Sequence, residues 1–313
     1  MQNPTQLMTA EMLKVLSVIE RTGSLAAAAR ELNLVPSALT YRLRQLEDGL
    51  DALLVHRSSK RSVLTPAGVE LLRAGQPVLH ELDAIARRVK RIATGWEPEL
   101  VIIADALIDQ GVLLELCQAF YALNAPTQLR LQHGTMNGTL EALVMGNADL
   151  ALGVSSDNAQ FAGIQTMPLG QVPFVFAVAP FHPLAQLAAM GQQVSDADRA
   201  RHLAVAAADS SARRSGSVLG VVPGQPVFTV PDMPTKLKVQ LAGIACGFLP
   251  MPMAREHLAR GELVAIALAQ TQRNAKLSAA WREGTATAGQ ALKWWLKQLQ
   301  SAPTRRALVG LGK

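Results

Sequence analysis

Cysteine is nearly missing from this sequence: the 313 residues include two, Cys117 and Cys246, far apart and without a Cys-x-x-Cys pair. Such a chain has no disulfide framework of the kind that small secreted domains need. The start, MQNPTQLMTAEMLKVL, has no basic segment followed by an apolar core, and no run of about 18 uncharged apolar residues occurs anywhere. The sequence therefore predicts no signal peptide, no membrane span and a cytoplasmic location.

The motifs that mark common enzymes are missing as well. There is no Gly-x-Ser-x-Gly elbow, no P-loop and no Gly-x-Gly-x-x-Gly after a predicted strand. His133 and His182 have no partner ligands at metal spacing, so neither a metal nor another cofactor is predicted. We expect a protein that is not an enzyme. A solute-binding protein with an oligomerising N-terminal segment is an alternative, which the absent signal peptide disfavours.

What the sequence does contain is apolar material for more than one core. Hydrophobic residues make up 49% of the chain and charged residues 17%, and the length predicts two or three domains. The formal charge is +6, and residues 1–96 hold 13 lysines and arginines against 9 acidic residues. This surplus fits a nucleic-acid partner but is too small to identify one.

The first 50 residues predict a helix-turn-helix. Thr9 and Ser24 occupy N-cap positions, Gly23 ends the first apolar-periodic segment, and Pro36 opens the segment PSALTYRLRQLED. The leucines of that segment share one helix face, and its arginines lie outside that face. Two helices joined by a tight turn, the second basic on its outer side, are typical of this DNA-binding motif.

A wing and a long helix follow. LLVH and RSVLT predict short strands on either side of the basic tip 57–61, which is suited to contact phosphates or a minor groove. Thr65-Pro66 predicts the start of a helix that runs to about Ile92 and is kinked at Pro77. The apolar stripe of this helix predicts a partner helix.

From Leu100 onward, strand and helix patterns alternate, beginning with LVIIA, GVLLELCQAFYAL and LRLQHG. This rhythm predicts an α/β architecture with largely parallel strands.

Several ordered segments resemble the LysR-type transcriptional regulators: GSLAAAARELNLVPSALTYRLRQLED, LLVHR, LTPAG, EALVMGNADLALG and QLAGIACGFLPM. The resemblance covers essentially the whole chain. ATGWEPELVI, VPSALTY and AWREG are similar to the branch of the family that contains the enterobacterial regulator YhaJ.

The resemblance implies a sequence-specific transcription regulator with an N-terminal all-α winged helix-turn-helix, a long linker helix and an α/β effector domain. That effector domain is expected to resemble periplasmic binding proteins, with a small-molecule effector bound between two subdomains. The implied partners are double-stranded DNA, the effector and further copies of the chain, as a homodimer or homotetramer. The expected boundaries are 1–65 for the DNA-binding domain, 66–94 for the linker, 95–301 for the effector domain (subdomain I 95–168 and 267–301, subdomain II 169–266) and 302–313 for a tail.

The chain departs from the family pattern near the recognition helix. Val35-Pro36 replaces the common Ser-Gln, which removes an N-cap hydroxyl worth about 1 kcal/mol and a glutamine that often reads a base. Asp51 replaces a usual glycine, and Val55 a usual phenylalanine. These changes leave the fold expectation intact but prevent the operator sequence from being inferred.

The candidate DNA contacts lie on the recognition helix, at its entrance and on the wing. Arginines on such a helix can read guanine or bind phosphate, and their alternative role is to solvate its outer face. Tyr41 could equally pack against the wing, and one wing cation could bond a helix C-terminus or a carboxylate. The candidates are Pro36, Ser37, Thr40, Tyr41, Arg42, Arg44, Arg57, Lys60 and Arg61.

The candidate effector contacts lie where predicted strands end and helices begin, because ligands bind at such edges of open α/β sheets. Their alternative role is ordinary helix capping. The acidic Asp105 disfavours a carboxylate beside it, which favours a neutral or aromatic effector. The candidates are Asp105, Ala106, Leu107, Thr135, Met136, Ser155, Ser210, Asp232 and Phe248.

Overall fold

The structure is a computed structural model, and it describes residues 4–57, 61–155, 162–211, 220–268, 273–282 and 289–311. The chain divides into two compact units, Met1–Arg88 and Val89–Lys313. In the described part of the chain, no helix is both long and apolar enough to cross a membrane.

The first unit begins with four helices whose starts follow the predicted capping residues. The Thr9 hydroxyl accepts a hydrogen bond from the backbone N–H of Met12, and the Ser24 hydroxyl accepts one from Ala27. Gly23, at φ 67°, ends the second helix in the left-handed region, where a glycine has no steric penalty. The four helices are α1 (Pro4–Leu7), α2 (Ala10–Thr22), α3 (Leu25–Glu31) and α4 (Pro36–Leu50).

The recognition helix α4 has the entrance that the sequence predicts. Pro36 occupies its first turn, and Val35 precedes it at the N-cap without any side-chain hydrogen bond. The predicted face of Leu39, Leu43 and Leu46 is fully buried against α2 and α3. Tyr41, Arg42 and Arg44 of the same helix are exposed to solvent.

The wing is a two-stranded antiparallel ribbon of β1 (Val55–Arg57) and β2 (Ser62–Leu64). The buried Glu47 of α4 holds its first strand, since one carboxylate oxygen accepts hydrogen bonds from the N–H groups of Leu54 and Val55 at 2.9 and 3.1 Å. Helix α5 (Pro66–Thr94) follows, with the Thr65 hydroxyl accepting a 3.0 Å hydrogen bond from Gly68 and with Pro77 inside the helix.

The described strands of the second unit are β3 (Glu99–Asp105), β4 (Gln128–Gly134), β5 (Leu150–Ser155), β6 (Ile164–Val178), β7 (Ala204–Ala207), β8 (Val227–Val230), β9 (Gly247–Pro250), β10 (Val264–Ala265) and β11 (Arg273–Arg282). Seven of them form the main sheet, in the order β10-β6-β11-β5-β3-β4, with β9 also paired to β6. A separate parallel pair is formed by β7 and β8.

The expectation of largely parallel strands was wrong for the main sheet. Strand β3 is parallel to β4 and β5, but the long strands β6 and β11 are antiparallel to each other, and β11 is antiparallel to β5. Apolar runs indicate burial and not direction, so the alternating pattern could not reveal these antiparallel pairs.

Helices cover the sheet. The last helix lies in the segment that the sequence predicted to be a tail. Residues 302–313 were expected to form a tail, yet Leu308 and Val309 are fully buried in the largest core, together with Trp295. The helices are α6 (Gln110–Tyr121), α7 (Asn137–Val144), α8 (Pro183–Ala189), α9 (Asp196–Ala200), α10 (Met233–Leu241), α11 (Met251–Ala259), α12 (Gln290–Gln300) and α13 (Ala302–Leu308).

Candidate functional site

The first candidate surface is the outer side of α4. The leucine face of this helix is buried, and most of its polar residues other than Glu47 lie outside that face. Thr40 is half-buried, and Tyr41 is 62% exposed, with its hydroxyl accepting a 3.0 Å hydrogen bond from the Gln45 amide. The exposed candidates are Pro36, Ser37, Tyr41, Arg42 and Arg44.

The two arginines of this surface differ in their surroundings. The guanidinium of Arg42 forms an ion pair with the carboxylate of Glu11 on α2, and both side chains are about half exposed. Arg44 has no ion pair within the described residues. Arg42 is therefore already bound by a carboxylate, whereas Arg44 has no such partner among the described residues.

The wing is joined to the turn between α2 and α3. The N–H of Ser62 donates a 2.9 Å hydrogen bond to the carbonyl of Gly23, and a Cβ added at Gly23 would lie 2.8 Å from Nε of Arg61. Because Gly23 has no side chain, the Arg61 side chain fits beside it. The sequence did not indicate this role of Gly23. Of the other wing candidates, Arg57 lies in β1, and Lys60 lies outside the described residues.

The second candidate site is a cavity of about 410 Å³ in the second unit. It lies at the ends of β3, β4 and β5 and faces β9, α10 and β11, so separate parts of the sequence form its walls. Seven of the nine predicted effector residues line it: Asp105, Ala106, Leu107, Thr135, Met136, Ser155 and Phe248.

The other two predicted residues do not line the cavity. Asp232 caps α10 and accepts a 2.7 Å hydrogen bond from the N–H of Thr235, the alternative role that the sequence left open. Ser210 supports the wall, since its hydroxyl accepts a 2.9 Å hydrogen bond from the N–H of Thr135.

Asp105 is a buried carboxylate whose oxygens are already occupied. One oxygen accepts a 3.0 Å hydrogen bond from the N–H of Leu107, and the other accepts from the N–H of Met136 and the hydroxyl of Thr139 at 2.8 and 3.4 Å. Burial raises the pKa of Asp105 to about 6, against the lowering effect of these hydrogen bonds. Asp209 raises it further.

A second carboxylate occupies the N-terminus of α7. The two oxygens of Asp209 accept hydrogen bonds from the Asn137 amide at 2.7 Å and from the N–H of Gly138 at 3.2 Å. Such a helix end attracts anions, and here the chain supplies its own.

Sequence reasoning missed three cations in the wall: the buried Lys236, the half-buried Arg273 and the exposed Lys276. Lys236 of α10 is buried at 6% exposure, and Arg273 begins β11 with its guanidinium carbon 5.6 Å from the centre of the Phe248 ring. Burial lowers the pKa of Lys236 to about 8, and the positive charge of Arg273 adds to the effect. In the segment KLKVQL, Lys236 looks like a solvated helix charge, so no sequence signal distinguished it.

Two known protein families match this chain, and together they cover most of its length. Residues 10–69 match the family described as bacterial regulatory helix-turn-helix protein, lysR family, and residues 93–303 match the family described as LysR substrate binding domain.

Two relatives from Escherichia coli strain K12 match nearly the full length. The chain is 32% identical to the uncharacterized HTH-type transcriptional regulator YeeY over 290 residues, 92% of each chain. It is 31% identical to the probable HTH-type transcriptional regulator YhaJ over 292 residues, 93% of this chain and 96% of that one.

Among solved structures, the fold is similar to full-length CbnR in complex with its target DNA. The TM-score is 0.59 at 19% sequence identity, with 94% of this chain and 99% of the other covered. At that identity, the likeness concerns the fold alone.

Proposed function

Because the chain belongs to the LysR family of bacterial transcriptional regulators, we propose that it binds a specific DNA sequence through its first unit and responds to a small molecule bound in the cavity of its second unit. The observation that carries the proposal is the match of both family domains, in order, over most of the chain. The resemblance predicted from the sequence is thus confirmed.

For DNA contact, we assign the exposed face of α4 and the wing. Arg42 and Arg44 supply base or phosphate contacts from the helix, while Pro36, Ser37, Thr40 and Tyr41 surround them. Arg57, Lys60 and Arg61 supply the cations of the wing. Support comes from the burial of the leucine face, which leaves these α4 residues as the outer surface of the recognition helix.

For self-association, we assign helix α5 as the interface of a homodimer, which could pair further into a tetramer. Its outer residues form an apolar stripe that is unusual for a solvated helix and is suited to pack on a second copy. The exposed members of the stripe are Val78, Leu82, Ile85, Val89 and Ile92.

The proposed division of the chain keeps the boundaries expected from the sequence, with one revision. Residues 1–65 bind DNA, 66–94 form the linker, and 95–168 with 267–301 form subdomain I around subdomain II at 169–266. The revision adds α13 to subdomain I, because Leu308 packs in its core. We assign the protein to the cytoplasm, where its DNA is, and give it no catalytic role.

For the effector, we assign the cavity, with Thr135, Met136 and Ser155 on one wall and Phe248 on another. A ligand there contacts both subdomains. It can therefore shift the protein between two arrangements if it binds them with different affinity.

Gel-shift titration of the full chain tests the proposal, with DNA taken from upstream of its own gene and a shuffled fragment of equal length as control. We expect salt-sensitive binding that prefers the upstream fragment. Equal affinity for the two fragments at every salt concentration would overturn the proposal.

A further inference from the structure

Three cations of the second unit cluster beside the cavity with little negative charge to balance them. Lys236 and Arg273 line the cavity, and Arg199 of α9 lies behind them, its guanidinium carbon 5.0 Å from the centre of the Phe176 ring and 5.6 Å from that of Phe248. Burial lowers the pKa of Lys236 and of Arg273, and the next positive charge adds to each effect: that of Arg273 on Lys236, and that of Arg199 on Arg273. Gathering like charges in a buried region costs stability.

The carboxylates in the described part of the chain offset little of this charge. Within the described residues, no acidic side chain forms an ion pair with Lys236 or Arg273. Arg199 alone has such a partner, Asp196, whose side chain is 57% exposed. In addition, the buried Nε of Arg199 has no hydrogen-bond partner among the described residues. Arg199 does not line the cavity, and its two terminal nitrogens donate to Asp196 and to the carbonyl of Gly220. The charges without an acidic partner that face the cavity therefore include those of Lys236 and Arg273.

The opposite wall is negatively charged. Asp105 and Asp209 already accept the backbone N–H groups at the start of α7 and in the turn before it. An anion entering the cavity is repelled there and is attracted to the side of Lys236 and Arg273, where the exposed Lys276 also lines the cavity. The earlier expectation that Asp105 disfavours a carboxylate thus applies to its own wall and not to the whole cavity.

Part of the lining is apolar and aromatic. Phe174 and Phe248 border the cavity, and the Phe248 ring packs edge-to-face on Phe176 with ring centres 5.2 Å apart. Leu277 and Met136 complete the apolar part. An inorganic ion would leave this surface unused, whereas an aromatic or other apolar body would cover it.

We propose that the effector cavity takes a small organic carboxylate, whose negative group binds between Lys236 and Arg273 and whose apolar part lies against Phe248. The planar guanidinium suits a carboxylate, and the buried ammonium adds a second charged donor. This inference rests on the proposed function, because it takes the cavity as the effector site.

The test uses the purified full-length protein and two probes of matched shape, benzoate and its neutral counterpart benzamide. Thermal-shift and calorimetric titrations are expected to show a concentration-dependent rise in melting temperature with benzoate and none with benzamide. Lys236→Met and Arg273→Met should each weaken benzoate binding on the order of tenfold or more. Lys238→Met, an exposed lysine two positions along the same helix, is the control and should bind as wild type.

Two results would overturn the inference: benzamide binding as well as benzoate, or both methionine variants keeping the wild-type affinity for benzoate. Circular dichroism of each variant separates lost binding from lost fold. Gel shifts of the same samples test DNA binding separately from carboxylate binding. If the wild type does not prefer its upstream DNA, the proposed function is wrong, whether or not benzoate binds.

Discussion

The backbone N–H of Met136 donates a 2.8 Å hydrogen bond to the carboxylate of Asp105 and so joins the turn after β4 to the end of β3. Met136 sits at φ 55° and ψ −120°, a region that residues other than glycine rarely occupy, with a cost of about 1–3 kcal/mol. The bond to Asp105 helps to hold this turn. Asp105 therefore shapes the cavity wall with both of its oxygens occupied by the chain.

Replacing Asp105 with Asn should remove a pH dependence of folding. Burial raises the pKa of Asp105 from 3.8 to about 6, with Asp209 as the nearby charge. Between these values the folded protein holds a proton that the unfolded chain has lost, so wild-type stability should fall by about 3 kcal/mol as pH rises from about 4 to 6. Urea unfolding of both proteins at several pH values measures the difference. Parallel stability curves would contradict this role of Asp105.

Replacing Lys236 with Met should stabilise the ligand-free protein at pH 7 by roughly 1–3 kcal/mol, because it removes a buried charge that faces Arg273. The pKa of Lys236 is lowered from 10.5 to about 8, and Cys246 is the other titratable group that acts on it. Wild-type stability should therefore rise between about pH 8 and 10, and the gap to the variant should narrow. Lys238→Met should change stability by less than about 0.5 kcal/mol. A Lys236→Met protein less stable than wild type at pH 7 would refute this.

Replacing Glu11 with Gln should strengthen DNA binding up to about fivefold, because it releases Arg42 from an exposed ion pair worth at most about 1 kcal/mol. Glu31→Gln is the matched control: it removes the same charge but releases Arg21 instead. Fluorescence anisotropy with the upstream DNA measures both. Equal gains in the two variants would show that net charge, and not Arg42, is responsible.

The same assay tests the roles assigned to two cations. Arg42→Ala should weaken specific binding by about 1–3 kcal/mol and shuffled DNA less, as expected for a base contact. Lys60→Ala should weaken both about equally and reduce the salt dependence, as expected for a phosphate contact. Similar losses in the two variants would mean that these roles are misassigned.

Replacing Val35 with Ser should stabilise the first unit by about 1 kcal/mol, because α4 has no side-chain cap and a serine hydroxyl can supply one. Val35 is 64% exposed, so little apolar burial is lost. Val35→Ala controls for removal of the side chain alone. If chemical denaturation shows the serine variant to be no more stable than the alanine variant, the missing cap does not limit this helix.

The first unit could be predicted in detail because its signals are local. Thr9, Ser24 and Pro36 each act within one turn of helix, and the structure has all three where the sequence indicates. Arg42 shows the limit of such signals. Its ion pair with Glu11 joins two helices that only packing brings together.

In the second unit, the sequence predicted the cavity residues at the ends of the parallel strands but not those on the other walls. Asp105 and Thr135 were found because parallel strands bring their carboxyl ends to one edge, and both line the cavity. The antiparallel course of β6 and β11 was not predicted, so Arg273 could not be assigned to the same cavity.

The sequence by itself was enough to exclude a disulfide framework, to predict the helix-turn-helix with its wing, and to identify the family by resemblance. These depend on residue type and short spacing. Tertiary structure alone decided which charges meet. Lys236 and Arg273 are 37 positions apart, and they line one cavity because α10 and β11 both lie against β6. Burial then makes their charge costly, and burial is a property of the folded chain as a whole.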